Sequence, residues 1–435
     1  MGCTRSALGA HRNHEDLMTN RASDFVDAER LNDRLAQMAR LGATAAGGVD
    51  RPALSPADGD AQRLMAAWGA PLGLTPSRDP AGNFFLRWAG LHVDAAPVMS
   101  GSHLDSQPTG GKFDGVYGVV AALEAVQALI DAGRQPAMPV DIVAWMNEEG
   151  SRFAPGMLGS AAFAGARSLA DTLAVTDAEG ATVADALAAL APVLADIPAR
   201  PLGGDVHAYI ETHIEQGPVL EREGLQVGVV TGIQGKHTYR VTVQGEAAHA
   251  GTSTRAERKD ALLAATAMVQ ALAAEIHDAQ DCVKFTVGRF DVQPSAPSVV
   301  ASRVVFSIDL RHPDTETLRT LSDRIEPICA ANRGPCAVEV VRLSAADSLT
   351  FPQALREHIG RSAAALAIPH RDMPSAAGHD ARYLHAICPT AMIFVPSRDG
   401  ITHNEAEYTA PADLYAGARV LTDVLDRLIT SAKTP

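Results

Sequence analysis

The sequence has few of the residues that mark secreted or membrane-spanning proteins. Its 435 residues include five cysteines, Cys3, Cys282, Cys329, Cys336 and Cys388, and none belongs to a Cys-x-x-Cys pair. Scattered cysteines indicate neither a disulfide framework nor a thiolate zinc site, and they suit a reducing, cytoplasmic location. No apolar run is long enough to cross a bilayer, so we expect no membrane partner.

Basic residues are also scarce relative to acidic ones. Lys and Arg total 37 against 51 Asp and Glu, which gives a formal net charge of −14 at pH 7. A nucleic-acid partner requires a basic face, so this balance argues against one.

The N-terminal segment MGCTRSALGAHRNHEDLMTN lacks the apolar core of a signal peptide. It does match the loose pattern for N-myristoylation through Gly2 and Ser6. Because that pattern is short, coincidence is the favoured interpretation.

Chain length and the alternation of strand and helix patterns indicate an α/β protein of two domains. The chain is too long for one ordinary core, and its hydrophobic content of 46% is typical of a globular protein. Strand patterns such as 138–146 alternate with helical patterns such as 114–133, and this alternation resumes from residue 353. We therefore predict a large domain with a central mixed sheet flanked by helices.

A different pattern interrupts this domain. Residues 233–345 carry the order β-α-β-β-α-β of a ferredoxin-like unit. The sequence thus predicts a discontinuous large domain, 1–232 and 346–435, with a smaller domain inserted at 233–345. The glycines of TGIQG, Gly232 and Gly235, could serve as a hinge.

A glycine-rich segment, GSHLDSQPTGGKFDGVYG at 101–118, carries His103, Asp105 and Asp114 after an apolar strand. Each alone has an ordinary explanation: His103 as an interior histidine, Asp114 as the N-cap of the next helix. Together they indicate more, because in His-x-Asp the aspartate can accept the second ring N–H of the histidine, as it does beside metal ions. The flexible loop would bring Asp114 back to His103.

Further acidic and histidine residues occur at or beyond other strands, where sites gather in open α/β sheets. Two or three histidines with two acidic ligands and no cysteine indicate a hydrolytic zinc or manganese centre rather than a structural zinc. An acid–base pair without a metal is the alternative, but it leaves the first two histidines without a role. The residues are Glu148 and Glu149 in MNEEGSRF, His213 beside Glu211, Glu215 and Gln216, and His403 flanked by Asp399, Glu405 and Glu407.

Six longer motifs cover nearly the whole chain: GSHLDSQPTGGKFDG, NEEGSRF, ETHIEQGPVLE, HAGT, SAAGHDA and FVPSRDGITHNEAE. In these motifs the sequence resembles the amidase, hydantoinase and carbamoylase branch of the zinc-dependent M20 metallopeptidase superfamily. Within that branch it is most similar to N-carbamoyl-L-amino-acid hydrolases, with β-ureidopropionases and allantoate amidohydrolases as close relatives.

The resemblance implies a homodimer with two divalent metal ions per subunit, Zn²⁺ first, with Mn²⁺, Co²⁺ or Ni²⁺ as alternatives. His103 and His213 would hold one ion, and Glu149 and His403 the other. Asp114 would bridge the two ions. Glu148 would bind neither and would act as the general base.

The resemblance also implies that the inserted domain is a lid and dimerisation domain that recognises the substrate. His249 would stabilise the oxyanion, across a dimer, and Arg311 would bind the substrate carboxylate; Gln216 would also face the substrate. Without the resemblance we would interpret His249 as a turn residue and Arg311 as a charge at a strand end. Ser298 stands where the family usually has a substrate-binding asparagine.

Two other departures accompany Ser298. Ala301 replaces a proline, and HAGTSTR replaces the usual His-Ala-Gly-Thr-Thr-Pro-Met. The metal residues match, so the implied activity is hydrolysis of a linear C–N amide of a small carboxylate substrate, an N-carbamoyl amino acid first. Allantoate, N-acyl amino acids and small peptides stay open as alternatives. A metal-binding protein without turnover is the other class, and Glu148 argues against it because a binding site needs no base.

Overall fold

The computed structural model describes residues 21–430. The N-myristoylation pattern at Gly2 and Ser6 and the cysteine Cys3 lie outside the described residues. The four cysteines within this range are free. In the same range, every helix is too short or too polar to span a bilayer.

The described residues divide into two compact units. The large unit comprises Phe351–Met373 and the described parts of Met1–Thr231 and His379–Pro435. The small unit comprises Gly232–Thr350 and Pro374–Gly378.

Sixteen strands occur along the described chain. They are β1 Thr75–Arg78, β2 Phe84–Trp88, β3 Val98–His103, β4 Val140–Trp145, β5 Ala208–Ile214, β6 Val227–Ile233, β7 Gly235–Gln244, β8 Ala248–His249, β9 Lys284–Thr286, β10 Phe290–Gln293, β11 Val299–Val300, β12 Arg303–His312, β13 Ala337–Ala346, β14 Leu349–Thr350, β15 His370–Ser375 and β16 Thr390–Val395.

Twelve α-helices connect them. They are α1 Ala28–Met38, α2 Pro56–Gly69, α3 Val116–Asp131, α4 Leu158–Phe163, α5 Leu169–Leu173, α6 Val183–Leu190, α7 Val219–Glu223, α8 Ala261–Glu275, α9 Thr315–Ala331, α10 Gln353–Ala365, α11 Ala381–Leu384 and α12 Pro411–Thr430.

The large sheet is mixed, as predicted. Its nine strands lie in the order β1-β2-β4-β3-β5-β16-β6-β14, and β15 also pairs with β6. The four central strands β4, β3, β5 and β16 are parallel, whereas β2 and β6 run antiparallel to them. All residues of the four central strands are buried, as expected where helices cover both faces of parallel strands.

Helices α1 and α2 of the large unit begin at polar caps, and α1, α3 and α12 pack through apolar or ion-paired faces. The Asp27 side chain accepts the first free N–H groups of α1, and Ser55 does the same for α2. Nearly every residue of α3 is buried, and it packs against α1 and α12. The buried carboxylate of Glu124 on α3 accepts hydrogen bonds from Arg30 and Arg34 of α1.

The start of α3 differs from the sequence interpretation. Its N-cap is Gly115, with φ of 66°, rather than Asp114. A Cβ on Gly115 would lie 2.3 Å from the His103 ring, so only glycine fits between that ring and the helix. Asp114 is therefore not used as a cap.

The small unit has a five-stranded antiparallel sheet and two helices, α8 and α9. Its sheet has the order β10-β12-β7-β13, with β9 also pairing with β12. Strands β9 and β10 are only three and four residues long, while β12 and β13 run for ten residues each. The unit extends past residue 345 because β13 continues to Ala346 and β14 pairs with Ile233 and Gly232. Its role as a lid or dimerisation domain stays a prediction.

Candidate metal centre

The four parallel strands of the large sheet carry the predicted metal residues at or beyond their carboxyl ends. His103 is the last residue of β3, and His213 lies near the end of β5. Glu148 and Glu149 follow β4, and His403 follows β16. Parallel strands end at the same edge, so one sheet edge brings these segments together.

Asp114 comes from the loop between β3 and α3, and its first oxygen faces two histidines. Its Oδ1 lies 3.2 Å from Nε2 of His213 and 3.7 Å from Nε2 of His103. The Nδ1 atoms of the same two rings lie 2.9 Å from the carbonyl oxygens of Asp105 and Ile214. A carbonyl only accepts, so each Nδ1 carries a hydrogen and each Nε2 is directed at Asp114.

The second oxygen of Asp114 faces a different pair. Its Oδ2 lies 3.2 Å from Nε2 of His403, and that nitrogen lies 3.4 Å from Oε2 of Glu149. Two groups therefore have ligand atoms close enough for one metal ion each: His103, Asp114 and His213, and Asp114, Glu149 and His403. Both groups contain Asp114.

Burial and charge shift the pKa values of these groups strongly. Burial would raise the pKa of Asp114, but hydrogen bonds from His213 and His403 hold it well below its usual range. Burial would lower the pKa of His213, yet Asp114 raises it to about 9, and the hydrogen bond to Asp114 also raises the pKa of His403 to about 9. Burial lowers the pKa of His103 to about 4. Asp114 thus attracts protons or cations to both of its oxygens.

Asp105 has a role that differs in one contact from the sequence interpretation. The ring N–H of His103 is accepted by the carbonyl oxygen of Asp105, not by its carboxylate, whose Oδ1 is 3.7 Å from that nitrogen. The carboxylate accepts instead the backbone N–H groups of Glu148 at 3.1 Å and Glu149 at 3.2 Å. One aspartate therefore connects the β3 loop with the turn after β4.

The turn after β4 directs the side chains of Glu148 and Glu149 to different neighbours. It is bounded by Asn147 and Gly150, both with positive φ, and the Asn147 amide donates to the carbonyl of Phe153 at 2.7 Å. Oε2 of Glu148 lies 3.7 Å from Nε2 of His103, whereas Oε2 of Glu149 lies beside His403. The adjacent carboxylates are thus associated with different histidines.

Both glutamates lie in a strongly acidic, buried setting. Burial, followed by the charges of Asp380 and Glu149, raises the pKa of Glu148 well above its usual range. Burial and Asp114 raise the pKa of Glu149 to about 8, although Gln107 donates a hydrogen bond to it at 2.9 Å. Without a cation, these carboxyls favour their protonated forms.

Gln216 also lies at this edge, with positive φ. Its side-chain amide donates to Oδ2 of Asp114 at 3.0 Å and approaches the hydroxyl of Thr402 at 3.3 Å. In this structure the amide of Gln216 contacts Asp114 and Thr402, and its contact with substrate stays a prediction.

Two buried residues beside His213, namely His379 and Glu211, received no role from the sequence. His379 in SAAGHDA packs its buried ring against that of His213, with centroids 4.5 Å apart. Glu211, His213 and His379 form a third group close enough for a metal, but the two oxygens of Glu211 already accept from Ser102, Tyr209 and the N–H of Ala381. The motif SAAGHDA carries His379 and was the sequence signal that could have identified it.

In the small unit, His249 ends β8 and is exposed. Its Nδ1 accepts the N–H groups of Gly251 and Thr252, each at 3.1 Å. Because Nδ1 accepts, Nε2 is the ring nitrogen that carries a hydrogen. Ser298 lies beside it, because β8 pairs with β11 and the Ser298 carbonyl accepts the N–H of Ala250 at 3.0 Å.

Arg311, near the end of β12 in the same unit, is held by neighbours. Its Nε and Nη2 donate to the two oxygens of Asp309 at 2.8 and 3.2 Å, and Nη1 donates to the carbonyl of Ala376 at 3.1 Å. A guanidinium has five N–H groups, so two are left for another acceptor. The Asp309 pair fixes the plane of the fork.

Comparison with known proteins gives consistent results. The model of Peptidase family M20/M25/M40 matches residues 91–427. An N-carbamoyl-L-amino-acid amidohydrolase of Rhizobium meliloti is 40% identical over 402 residues, which cover 91% of this chain and 95% of that protein. An allantoate amidohydrolase of Bacillus subtilis is 33% identical over 405 residues, covering 92% and 97%. A crystal structure of an amidase of the hydantoinase/carbamoylase family from Burkholderia multivorans has 40% identity and a TM-score of 0.86, covering 93% of this chain and 98% of that one.

Proposed function

The chain belongs to peptidase family M20/M25/M40, and we propose that it is a metal-dependent amidohydrolase of N-carbamoyl amino acids. Family membership confirms the resemblance that the motifs indicate. Several relatives that match most of the chain are named N-carbamoyl-L-amino-acid amidohydrolase, which supports hydrolysis of a non-peptide C–N bond in a linear amide. The products would be the amino acid, ammonia and carbon dioxide.

The donor atoms of the large unit fit two divalent ions. In His103 and His213, Nδ1 is occupied by a backbone carbonyl, so Nε2 is the ring nitrogen available to bind a metal ion. Imidazole nitrogen and carboxylate oxygen without thiolate suit Zn²⁺, with Mn²⁺, Co²⁺ and Ni²⁺ as alternatives. The pKa of about 9 at His213 further indicates a place where a cation replaces a proton.

We assign His103 and His213 to one ion, Glu149 and His403 to the other, and Asp114 to both. Such a pair of ions would supply Lewis acidity, which lowers the pKa of a bound water and polarises the substrate carbonyl. The observation that carries this assignment is the division of the two Asp114 oxygens between His213 and His403.

Glu148 is then the general base. Its Oε2 lies beside the ring of His103 without being one of the grouped ligand atoms. It would accept a proton from the attacking water and return that proton to the leaving nitrogen.

The small unit would supply recognition. His249, whose Nδ1 accepts backbone N–H groups, can donate from Nε2 to the developing oxyanion, and we propose this contact across a homodimer. The two remaining N–H groups of Arg311 would bind the substrate carboxylate as a fork. Ser298, next to the His249 strand, would then help to define which substrate is accepted.

A substrate panel on the chelated and the Zn²⁺- or Mn²⁺-reloaded enzyme tests the proposal. We expect metal-dependent ammonia release from N-carbamoyl-L-amino acids, with no turnover after chelation. Activity confined to allantoate, to N-acyl amino acids or to dipeptides would replace the proposed substrate class. Full activity after removal of all metal would contradict the assignment of the centre.

A further inference from the structure

Glu407 is a buried carboxylate with no assigned part in the proposed centre. It follows His403 in the segment THNEAE and is 4% exposed. Its Oε1 accepts the backbone N–H of Phe113 at 2.9 Å and of Asp114 at 3.1 Å. One side chain therefore binds the main chain of the residue that both metal groups share.

The fit of this carboxylate to the loop is close. A Cβ on Gly111 would lie 1.9 Å from the carboxyl carbon and from Oε1 of Glu407. The loop can approach the carboxylate only because residue 111 lacks a side chain.

The hydroxyl of Thr402 completes the contact. It lies 3.1 Å from Oε2 of Glu407 and 3.2 Å from Oδ2 of Asp114. A hydroxyl has one hydrogen, so Thr402 can donate to only one of these carboxylates at a time. When Oδ2 of Asp114 binds a cation, Glu407 provides the other acceptor for that hydrogen. Because both oxygens of Glu407 have these partners, it is not placed as a ligand itself.

We propose that Glu407 is a positioning residue that holds Asp114 so that its two oxygens face the two metal groups at once. The inference rests on the proposed two-metal centre and extends it to a residue outside the ligand set. Loss of Glu407 would leave two buried N–H groups unpaired and free the Asp114 loop to turn. Either oxygen of Asp114 would then lose its alignment with His213 or His403.

The test separates the reach of the side chain from its charge. Glu407→Gln keeps a carbonyl oxygen at the same distance, and its amide can donate to Thr402, which can donate to Asp114. Glu407→Asp keeps the charge but is shorter by one methylene, and Glu407→Ala removes the group. Chelated full-length proteins are titrated with Co²⁺, and visible absorption reports both affinity and stoichiometry.

We expect Co²⁺ binding to weaken about 10–100-fold in Glu407→Asp and Glu407→Ala, and to stay near wild type in Glu407→Gln. Glu405→Gln is the matched control, because Glu405 lies in the same segment but pairs with the side chain of Thr44. If Glu407→Ala does not fold, the aspartate and glutamine variants decide the matter.

Wild-type affinity in Glu407→Asp would overturn the inference while leaving the proposed function intact. Loss of affinity in Glu407→Gln would show that the charge of Glu407, and not its reach alone, carries the effect and would also overturn the inference, as would equal loss in Glu405→Gln. Absence of Co²⁺ binding by the wild-type protein would instead contradict the proposed metal centre.

Discussion

The carboxylate of Asp105 accepts the backbone N–H of Glu148 at 3.1 Å. The second oxygen accepts the N–H of the following residue, Glu149, at 3.2 Å. Two adjacent acidic side chains are thus held at their main chain by a third, which fixes the turn from which both reach the sheet edge. Burial raises the pKa of Asp105 to about 7, and these two N–H groups oppose that rise.

Asp105→Asn should therefore impair the centre without removing any proposed ligand. Asparagine offers one acceptor oxygen and one NH₂ group, so one of the two backbone N–H groups would face a donor. We expect kcat to fall about 10–100-fold and metal content to fall with it. Asp94→Asn on the exposed loop before β3 is the control and should leave both unchanged; unchanged metal content in Asp105→Asn would contradict the positioning role.

Glu148→Gln should separate catalysis from metal binding. The amide retains the shape of the side chain but cannot take a proton from water at neutral pH. We expect kcat to fall by about 10²–10⁴-fold, while metal content by elemental analysis stays near normal. Retained turnover would show that Glu148 is not the base. Loss of metal would indicate that the roles of Glu148 and Glu149 are reversed.

Arg311→Lys should act on KM more than on kcat. Lysine keeps the charge but lacks the planar fork that Asp309 orients. We expect KM for carboxylate substrates to rise about 10- to 100-fold, the range for losing a hydrogen bond to a charged group. Arg289→Lys, an exposed pair with Asp291 in the same unit, is the control. An unchanged KM in Arg311→Lys would refute the carboxylate contact.

The sequence predicted where the candidate residues lie better than which atoms they contact. Strand ends and clustered histidines placed His103, His213 and His403 at one sheet edge, because parallel strands end together. Residue spacing does not specify which oxygen of Asp105 accepts the ring N–H, since carbonyl and carboxylate belong to the same residue. The contact of Glu407 with the Asp114 loop joins positions far apart in sequence, and no local pattern encodes it.

Metal binding should release protons at neutral pH. In the metal-free protein, Asp114 outweighs burial at His213 and raises its pKa to about 9, and it raises that of His403 to about 9 as well. Metal ions bind neutral imidazole, so at about pH 7 binding must displace these protons. Apparent affinity should thus weaken as the pH falls below about 9.

Calorimetric titration of the chelated protein with Zn²⁺, in two buffers of different ionisation enthalpy, counts the protons released. The count should be at least one at about pH 7 and should fall as the pH rises through about 9, where His213 and His403 lose their protons without metal. A count independent of pH would contradict the protonated state of His213 and His403 in the metal-free protein.

Gly115→Ala should damage the metal group of His103 through a direct steric conflict. Gly115 has φ of 66°, and a Cβ there would lie 2.3 Å from Cε1 and Nε2 of His103. Nε2 is the proposed ligand atom, so either the ring or the start of α3 must move. We expect Co²⁺ stoichiometry and kcat both to fall in the folded variant.

Gly133→Ala is the matched control for backbone strain. Gly133 lies just beyond the other end of α3 with φ of 72°, and a Cβ there would meet no atom within 4 Å. Gly133→Ala should lose about 1–2 kcal/mol of unfolding free energy, because alanine is strained at positive φ. Gly115→Ala should lose at least as much, because its methyl group also meets the His103 ring. Only Gly115→Ala should also lose metal, because only there does the added methyl group meet a ligand ring. If denaturation shows equal loss of stability and both variants bind two Co²⁺ per chain, His103 tolerates displacement and its place in the centre must be reassigned.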